Sequence, residues 1–393
     1  MKKKTGFWGW IGRGLLFLLA LMIIVPLGVY LSDRVYWNRY VGLAQQAASG
    51  QGLDYYDTLE TVEGASFAPL PVKTAETRTI PTTALKTADE YVTPMKTQAL
   101  LVWRKGGLEH ATYFGGADAA TLINSKSMAK PMTAIAIGRA IALGKIASLD
   151  DPVAKYVPEW KGTPKEKMLV RHLLDMRTGL KPQEFTISPF SILNRAYLHP
   201  EHERIIIHDY PLTHEPGSRY EYSNVTSELV ALVIERATGR RYGEFLGDEV
   251  LKPIGAAGGK IWVGKPGGLA HAGCCLLLPA ESWLRLGILL LQDGAWNGVR
   301  LLPEGYVTAM RTPTAQNPYY GLGVYVAGRY IERRGFLNPE NDLGKSLHSE
   351  PYLADDLYLW DGNANQVQYI IPSQDLVILR VGAVPPKPPA PEW

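Results

Sequence analysis

The feature that most constrains this chain is an uncharged apolar run from Gly14 to Leu31. A helix of that length spans about 27 Å at ~1.5 Å per residue, close to the hydrocarbon thickness of a bilayer. Lys2, Lys3, Lys4 and Arg13 precede the run, which places the N-terminus on the cytoplasmic side. Trp8, Trp10, Tyr30, Tyr36 and Trp37 flank its two ends, as interfacial aromatics do. A cleaved signal peptide is the competing reading. It calls for a shorter apolar core and a small-x-small cleavage site, and no clear one precedes Ser32-Asp33-Arg34. The expectation is a cytoplasmic segment 1–13, a single-pass anchor at 14–31, and a chain lying outside the cytoplasmic membrane beyond about residue 40. In a Gram-negative cell that compartment is the periplasm.

The 393-residue chain as a whole is 46% hydrophobic and 20% charged, enough for a sizeable core. Its net charge of +3 comes from dispersed lysines and arginines, which gives no electrostatic case for nucleic acid. The two cysteines, Cys274 and Cys275, are adjacent. Neighbours in a trans dipeptide do not supply the usual disulfide geometry, so they are expected as small buried apolar residues. Two cysteines also exclude a Cys-rich zinc module.

Residues 32–96 are expected as a neck, because "AASGQG" is flexible and the Pro- and Thr-rich stretch after it has weak periodicity. A proline-rich tail covers 384–393. Between them, 97–383 has an α/β (α+β) pattern. Strands are expected at Ala99–Arg104 and Leu108–Phe114, turning at Gly106-Gly107, and strands return near the end. Helices are expected at Ser127–Leu143, near Val170–Met176, at Asn224–Thr238 before Gly239, and at Ala280–Gln292. This order suggests one sheet built from both ends of the segment, with a helical insertion.

A helix beginning Ser125-Lys126-Ser127-Met128-Ala129-Lys130 carries its charge at the wrong end, since the helix N-terminus is already positive. Either serine could cap it, but capping does not account for the lysines. A Ser-x-x-Lys pair does. Residues i and i+3 share a helix face, so Lys130 can sit beside the Ser127 hydroxyl. Serine needs an adjacent base to become a nucleophile, and a buried lysine has a lowered pKa and can serve. Downstream, Tyr222-Ser223-Asn224 stands just before an amphipathic helix. Tyr222 is a candidate general base and acid, and Asn224 a candidate to hold the lysine or a substrate carbonyl, or simply an N-cap.

With Ser127-x-x-Lys130, with Tyr222-x-Asn224 after "PGSRYEYSN", and with "GCCLLLPAESWLRLGILLLQDGAWNGVRLLPEG", the chain resembles the serine beta-lactamase-like superfamily. The similarity is to the branch of class C beta-lactamases, esterases and 6-aminohexanoate-dimer hydrolases. "VRHLLDMRTGL" and "YGLGVYV" fit the same pattern. The resemblance implies an antiparallel sheet of five or more strands with helices on both faces, plus an all-helical subdomain bearing Tyr222. It implies Ser127 as the acyl-forming nucleophile and Lys130 and Tyr222 as its proton-transfer partners, with no cofactor. Penicillin-recognising members carry Lys-Thr-Gly or His-Thr-Gly on a strand lining the site, and this chain has neither. "WDGNANQVQYIIP" instead resembles the Gly-x-x-Gly-Gln stretch of the aminohexanoate branch, with Asn365 in place of the second glycine. By that match the N–H of Asn363 joins that of Ser127 in an oxyanion hole.

The expected activity is hydrolysis of a small ester or linear amide through a Ser127 acyl-enzyme. A penicillin-binding DD-peptidase or class C-type beta-lactamase, acting on a peptidoglycan-like substrate, is the alternative. A catalytically silent envelope-binding protein is a third reading. The histidines and acids of "LHPEHERIIIHDYPLTHE", from His199 to His214, look like an exposed loop and lack a His-Glu-x-x-His spacing, so no metal site is expected there. His172 is expected as an ordinary helix residue.

Overall fold

The computed structural model describes residues 7–49, 56–66, 68–184, 186–335, 338–339, 345–348 and 351–386. Lys2, Lys3 and Lys4 and the last seven residues of the proline-rich tail lie outside them. In chain order the elements that matter are α1 (Phe7–Ser32), α2 (Arg34–Ser49), β1 (Leu59–Val62), α3 (Thr82–Val92), β2 (Thr97–Arg104), β3 (Gly107–Tyr113) and β4 (Leu122–Asn124). There follow α4 (Lys130–Ala142), α5 (Val170–Leu174), α6 (Ile192–Leu198), α7 (Asn224–Thr238), β5 (Gly259–Trp262), β6 (Leu276–Pro279) and α8 (Ala280–Leu291). The last are β7 (Tyr325–Val326), β8 (Tyr358–Gly362), β9 (Gln366–Ile371) and β10 (Leu376–Gly382).

The main sheet has six antiparallel strands in the order β3-β2-β10-β9-β8-β7. Its centre joins the two ends of the segment, as expected: Leu379 pairs with Leu101 and Val377 with Trp103. The β2–β3 turn uses left-handed residues at Lys105 and Gly106. One face of the sheet is covered by α8, whose residues from Ala280 to Leu290 are all buried. Contact there is close, since a Cβ on Gly287 would lie 1.7 Å from Gln368 Nε2. Helices α4 and α7 pack together in the same core, with Ile135, Ile137, Leu229, Val233 and Ile234 fully enclosed. Helix α7 ends as its sequence suggests, with Gly239 at φ 71° supplying the left-handed C-terminal residue.

Residues 32–96, expected as a neck, contain α2, β1 and α3. Strand β1 pairs with β5, Leu59 opposite Trp262, at the edge of a second sheet ordered β1-β5-β6-β4. Helix α2 lies against the helical region. Arg39, 1% exposed, donates to Asp57 at 2.6 Å, to the Leu198 carbonyl at 2.9 Å and to the Gly264 carbonyl at 2.7 Å. Tyr36 and Tyr40 donate to the carbonyls of Pro189 and Ile187. Helix α1, directly before α2, has a stretch from Trp10 to Ser32 with mean hydropathy 2.6 and no burial against the rest of the chain.

The cysteine expectation is half corrected. Both residues are buried, but they are bonded to each other, across a Cα separation of 3.7 Å. The pair is enclosed by the hydroxyls of Tyr56 and Tyr197, which approach its sulfurs.

Candidate active site

The nucleophile candidate is set by a break in the chain. Strand β4 ends at Asn124, and Lys126 takes φ 50°, a left-handed conformation that costs a non-glycine residue about 1 kcal/mol or more. The Lys126 N–H is held by Asn124 Oδ1 at 3.0 Å. A 3₁₀ turn, Lys126–Ala129, then leads into α4. The expected helix from Ser127 therefore starts as a 3₁₀ turn, in which residues i and i+3 eclipse. That brings Lys130 Nζ within 3.1 Å of Ser127 Oγ. Neither serine caps the helix through its side chain; Ser125 Oγ donates to the Cys274 carbonyl instead.

Lys130 is 2% exposed, and its amine has two further partners, Asn224 Oδ1 at 2.8 Å and the Gly273 carbonyl at 3.0 Å. Both can only accept. A neutral lysine has two N–H bonds and one lone pair, so these acceptors use the hydrogens and leave the lone pair to the Ser127 hydroxyl. Burial pushes Lys130 down to about 7, against the opposing effect of the Glu228 carboxylate. The candidate base is thus placed beside the candidate nucleophile in a protonation range suited to that role.

Tyr222 completes the cluster. Lys130 Nζ lies 4.6 Å from its ring centroid, and its hydroxyl hydrogen-bonds to Ser127. Burial raises its pKa well above the usual phenol value, so it is held as a neutral O–H. It packs beside Met176, Tyr220 and Tyr320. Asn224 is the first residue of α7, after Ser223 in an extended conformation, and its side chain serves the lysine rather than capping the helix.

Strand β8 closes the cluster from the main sheet. A Cβ on Gly362 would lie 2.7 Å from the Ser125 carbonyl oxygen and 2.8 Å from the Met128 nitrogen, so only glycine allows this approach to the nucleophile turn. Asn363 follows directly, with its side chain accepting from the Ala364 N–H at 2.8 Å. Asn365 has φ 55°, the left-handed region that the aminohexanoate-type pattern fills with glycine and that asparagine tolerates better than most residues.

Sequence reasoning missed two contributors. Gly273 supplies a carbonyl to Lys130 and must be glycine, because a Cβ there would lie 2.8 Å from Ser227 Cβ. Glu228 lies one turn beyond Asn224, buried behind the lysine. The i, i+4 spacing from Asn224 was the available signal, but a glutamate in an amphipathic helix ordinarily faces solvent.

The histidine segment is not the exposed loop expected. His202 is fully buried, and with Glu228 and His271 it sets possible ligand atoms within 4.8 Å of one another. The rings of His202 and His271 stack face to face, with centroids 4.2 Å apart and 20° between planes. Lone pairs of stacked rings run side by side rather than converging, so this arrangement does not suit one ion. His172 is a helix residue as expected; its Nδ1 accepts the Leu169 N–H at 3.2 Å, and burial pushes it down to about 4. A cleft of about 680 Å³ lies elsewhere, among Trp160, Lys165, Ile207 and His208.

A Ser-Lys-Tyr cluster between a mixed helix and antiparallel-sheet body and a helical subdomain is the arrangement of the beta-lactamase-fold serine hydrolases. The chain belongs to the beta-lactamase family, whose profile matches residues 88–390. Its fold is similar to that of a Bacillus anthracis protein described as a 6-aminohexanoate-dimer hydrolase, at TM-score 0.65 and 19% identity over 87% of this chain and 89% of that one. EstCE1, a hydrolase with promiscuous acyltransferase activity, is similar at TM-score 0.56 and 17% identity, over 76% of this chain and 92% of that one. Among curated proteins, the Staphylococcus aureus protein flp is 31% identical over 131 residues, 33% of this chain. That stretch spans only 26% of flp.

Proposed function

We propose that this protein is a membrane-anchored, externally facing serine hydrolase that cleaves a small ester or linear amide through an acyl-enzyme on Ser127. The observation that carries the reading is the arrangement at Lys130: Ser127 Oγ at 3.1 Å beside two acceptor-only partners, which in the neutral amine take both hydrogens and free the lone pair for the Ser127 hydroxyl. Lys130 takes the Ser127 proton as Oγ attacks the carbonyl carbon. The oxyanion is received by the N–H groups of Ser127 and Asn363. Tyr222, a neutral donor, gives its proton to the leaving group as the tetrahedral intermediate collapses, and is reprotonated from Lys130. Water, activated by the same groups, then hydrolyses the acyl-enzyme.

Several features support the finer parts of the reading. The absence of Lys-Thr-Gly removes the usual carboxylate anchor and favours esters and linear amides over beta-lactams. EstCE1, of similar fold, is a hydrolase with acyltransferase activity. Helix α1 supports an anchor by its length and composition, although a signal sequence satisfies the same two criteria. Arg13 and the lysines before it support an inside N-terminus.

The test is intact mass of the detergent-solubilised full chain after a fluorophosphonate probe. One adduct is expected on the wild type and none on Ser127→Ala. Absence of an adduct on folded wild-type protein would sink the reading.

A further inference from the structure

Glu228 is 1% exposed, yet nothing in the reaction above uses it. Its Oε2 accepts the Ala272 N–H at 2.8 Å, and the Gly273 N–H also bonds to the carboxylate. These two residues carry the carbonyl that receives Lys130. Glu228 therefore ties helix α7 to the backbone segment whose Gly273 carbonyl receives the Lys130 amine. Its other oxygen, Oε1, has no hydrogen-bond partner among the described residues and lies 3.7 Å from His271 Nδ1.

The charges around it are few. Lys130 approaches from α4, and the two groups act on each other electrostatically. His271 and His202 face it from the segments before β6 and after α6; burial holds both far below the usual histidine value, so both are neutral. Tyr242, after α7, is held as a neutral phenol by burial and by Glu228. Among the described residues Lys130 is the cation that acts on Glu228, while Arg39 acts on the two histidines instead.

We propose that Glu228 is a positioning residue for Ser127 chemistry: it clamps the Gly273 carbonyl against the lysine, and its charge sets how tightly Lys130 holds a proton. This rests on the reading of Ser127 as nucleophile. An ionised Glu228 stabilises the ammonium that forms when Lys130 takes the serine proton. Burial raises the Glu228 carboxyl and the Lys130 ammonium pulls it back down, so the two groups ionise as a linked pair.

The experiment follows the rate of fluorophosphonate labelling of Ser127 against pH, in the full chain in detergent. In that step the Ser127 Oγ–P bond forms, P–F breaks, fluoride leaves and the serine proton goes to Lys130. In Glu228→Gln the amide oxygen can still accept from Ala272 and Gly273, so the clamp is kept and only the charge is lost. The acid limb is then expected to move down by about one pH unit, with a plateau rate about tenfold lower. Glu228→Asp, which keeps the charge, should leave the limb where the wild type has it. Superimposable profiles for wild type and Glu228→Gln, or the same shift in Glu228→Asp, would overturn the proposal. A wild type that takes no label at Ser127 overturns the hydrolase reading instead, so the two failures are distinguishable.

Discussion

As the proposed base, Lys130 carries two requirements that ordinarily conflict: it must be close to a nucleophile, and it must be uncharged. Burial meets the second by making the ammonium costly, and the acceptors Asn224 and Gly273 meet the first by fixing where the hydrogens go. The sign of the pH dependence follows. With its pKa lowered to about 7, the amine loses its proton as pH rises through that value, so acylation should increase through about pH 7 and level off above it. Single-turnover labelling across pH 5–9 (roughly the range where such a group titrates) checks this; a rate already flat at pH 5 would contradict it. Lys130→Ala should lower acylation by about 10²–10⁴-fold. Tyr222 makes a different prediction. Held as a neutral donor, it matters most when the leaving group needs a proton. Tyr222→Phe should reduce kcat for an anilide far more than for the corresponding p-nitrophenyl ester, whose leaving group departs as an anion. Equal losses on both substrates would argue that it acts on Ser127 alone.

At the scale of elements, the site depends on three close approaches: the 3₁₀ turn before α4, the end of β8 at Gly362, and the segment at Gly273 against α7. The last is open to a paired test. Gly273→Ala places a Cβ against Ser227, which should cost about 1–3 kcal/mol and displace the carbonyl from Lys130. Adding Ser227→Gly removes the clashing atom and should restore much of both stability and Ser127 reactivity, measured by denaturant unfolding and probe labelling. A double variant no better than Gly273→Ala would show that the strain lies elsewhere. The elements differ in how plainly the sequence announces them. Helix α7 is marked by its periodicity and by Gly239, and the structure places it over the expected residues. Strand β1 is not marked, because its four residues are stable only through pairing with β5, some 200 positions away.

For the whole molecule, α2 joins the apolar helix to the body. Asp57 is 40% exposed, so its ion pair with Arg39 contributes little by itself. The enclosed carbonyls of Leu198 and Gly264 matter more, because without the guanidinium they have lost a buried partner. Arg39→Ala should destabilise the protein by about 2–4 kcal/mol and expose α2 to proteolysis, read by urea unfolding and by mapping the first cleavage sites. Unchanged stability would mean that α2 only rests on the surface.

The sequence by itself pointed to the apolar N-terminal run, to the pairing of the two ends of the segment in one sheet, and to Ser127, Lys130, Tyr222 and Asn224 as a candidate set, through local composition, period, two short motifs and the family resemblance they carry. Tertiary structure alone decided the rest. It drew 32–96 into folded elements, buried His202, and put Gly273 and Glu228 beside the lysine. The physical reason is the same in each case. The partners lie far apart in the chain, and what fixes their protonation and contacts is the dielectric and packing of a shared interior, which no short stretch of sequence carries.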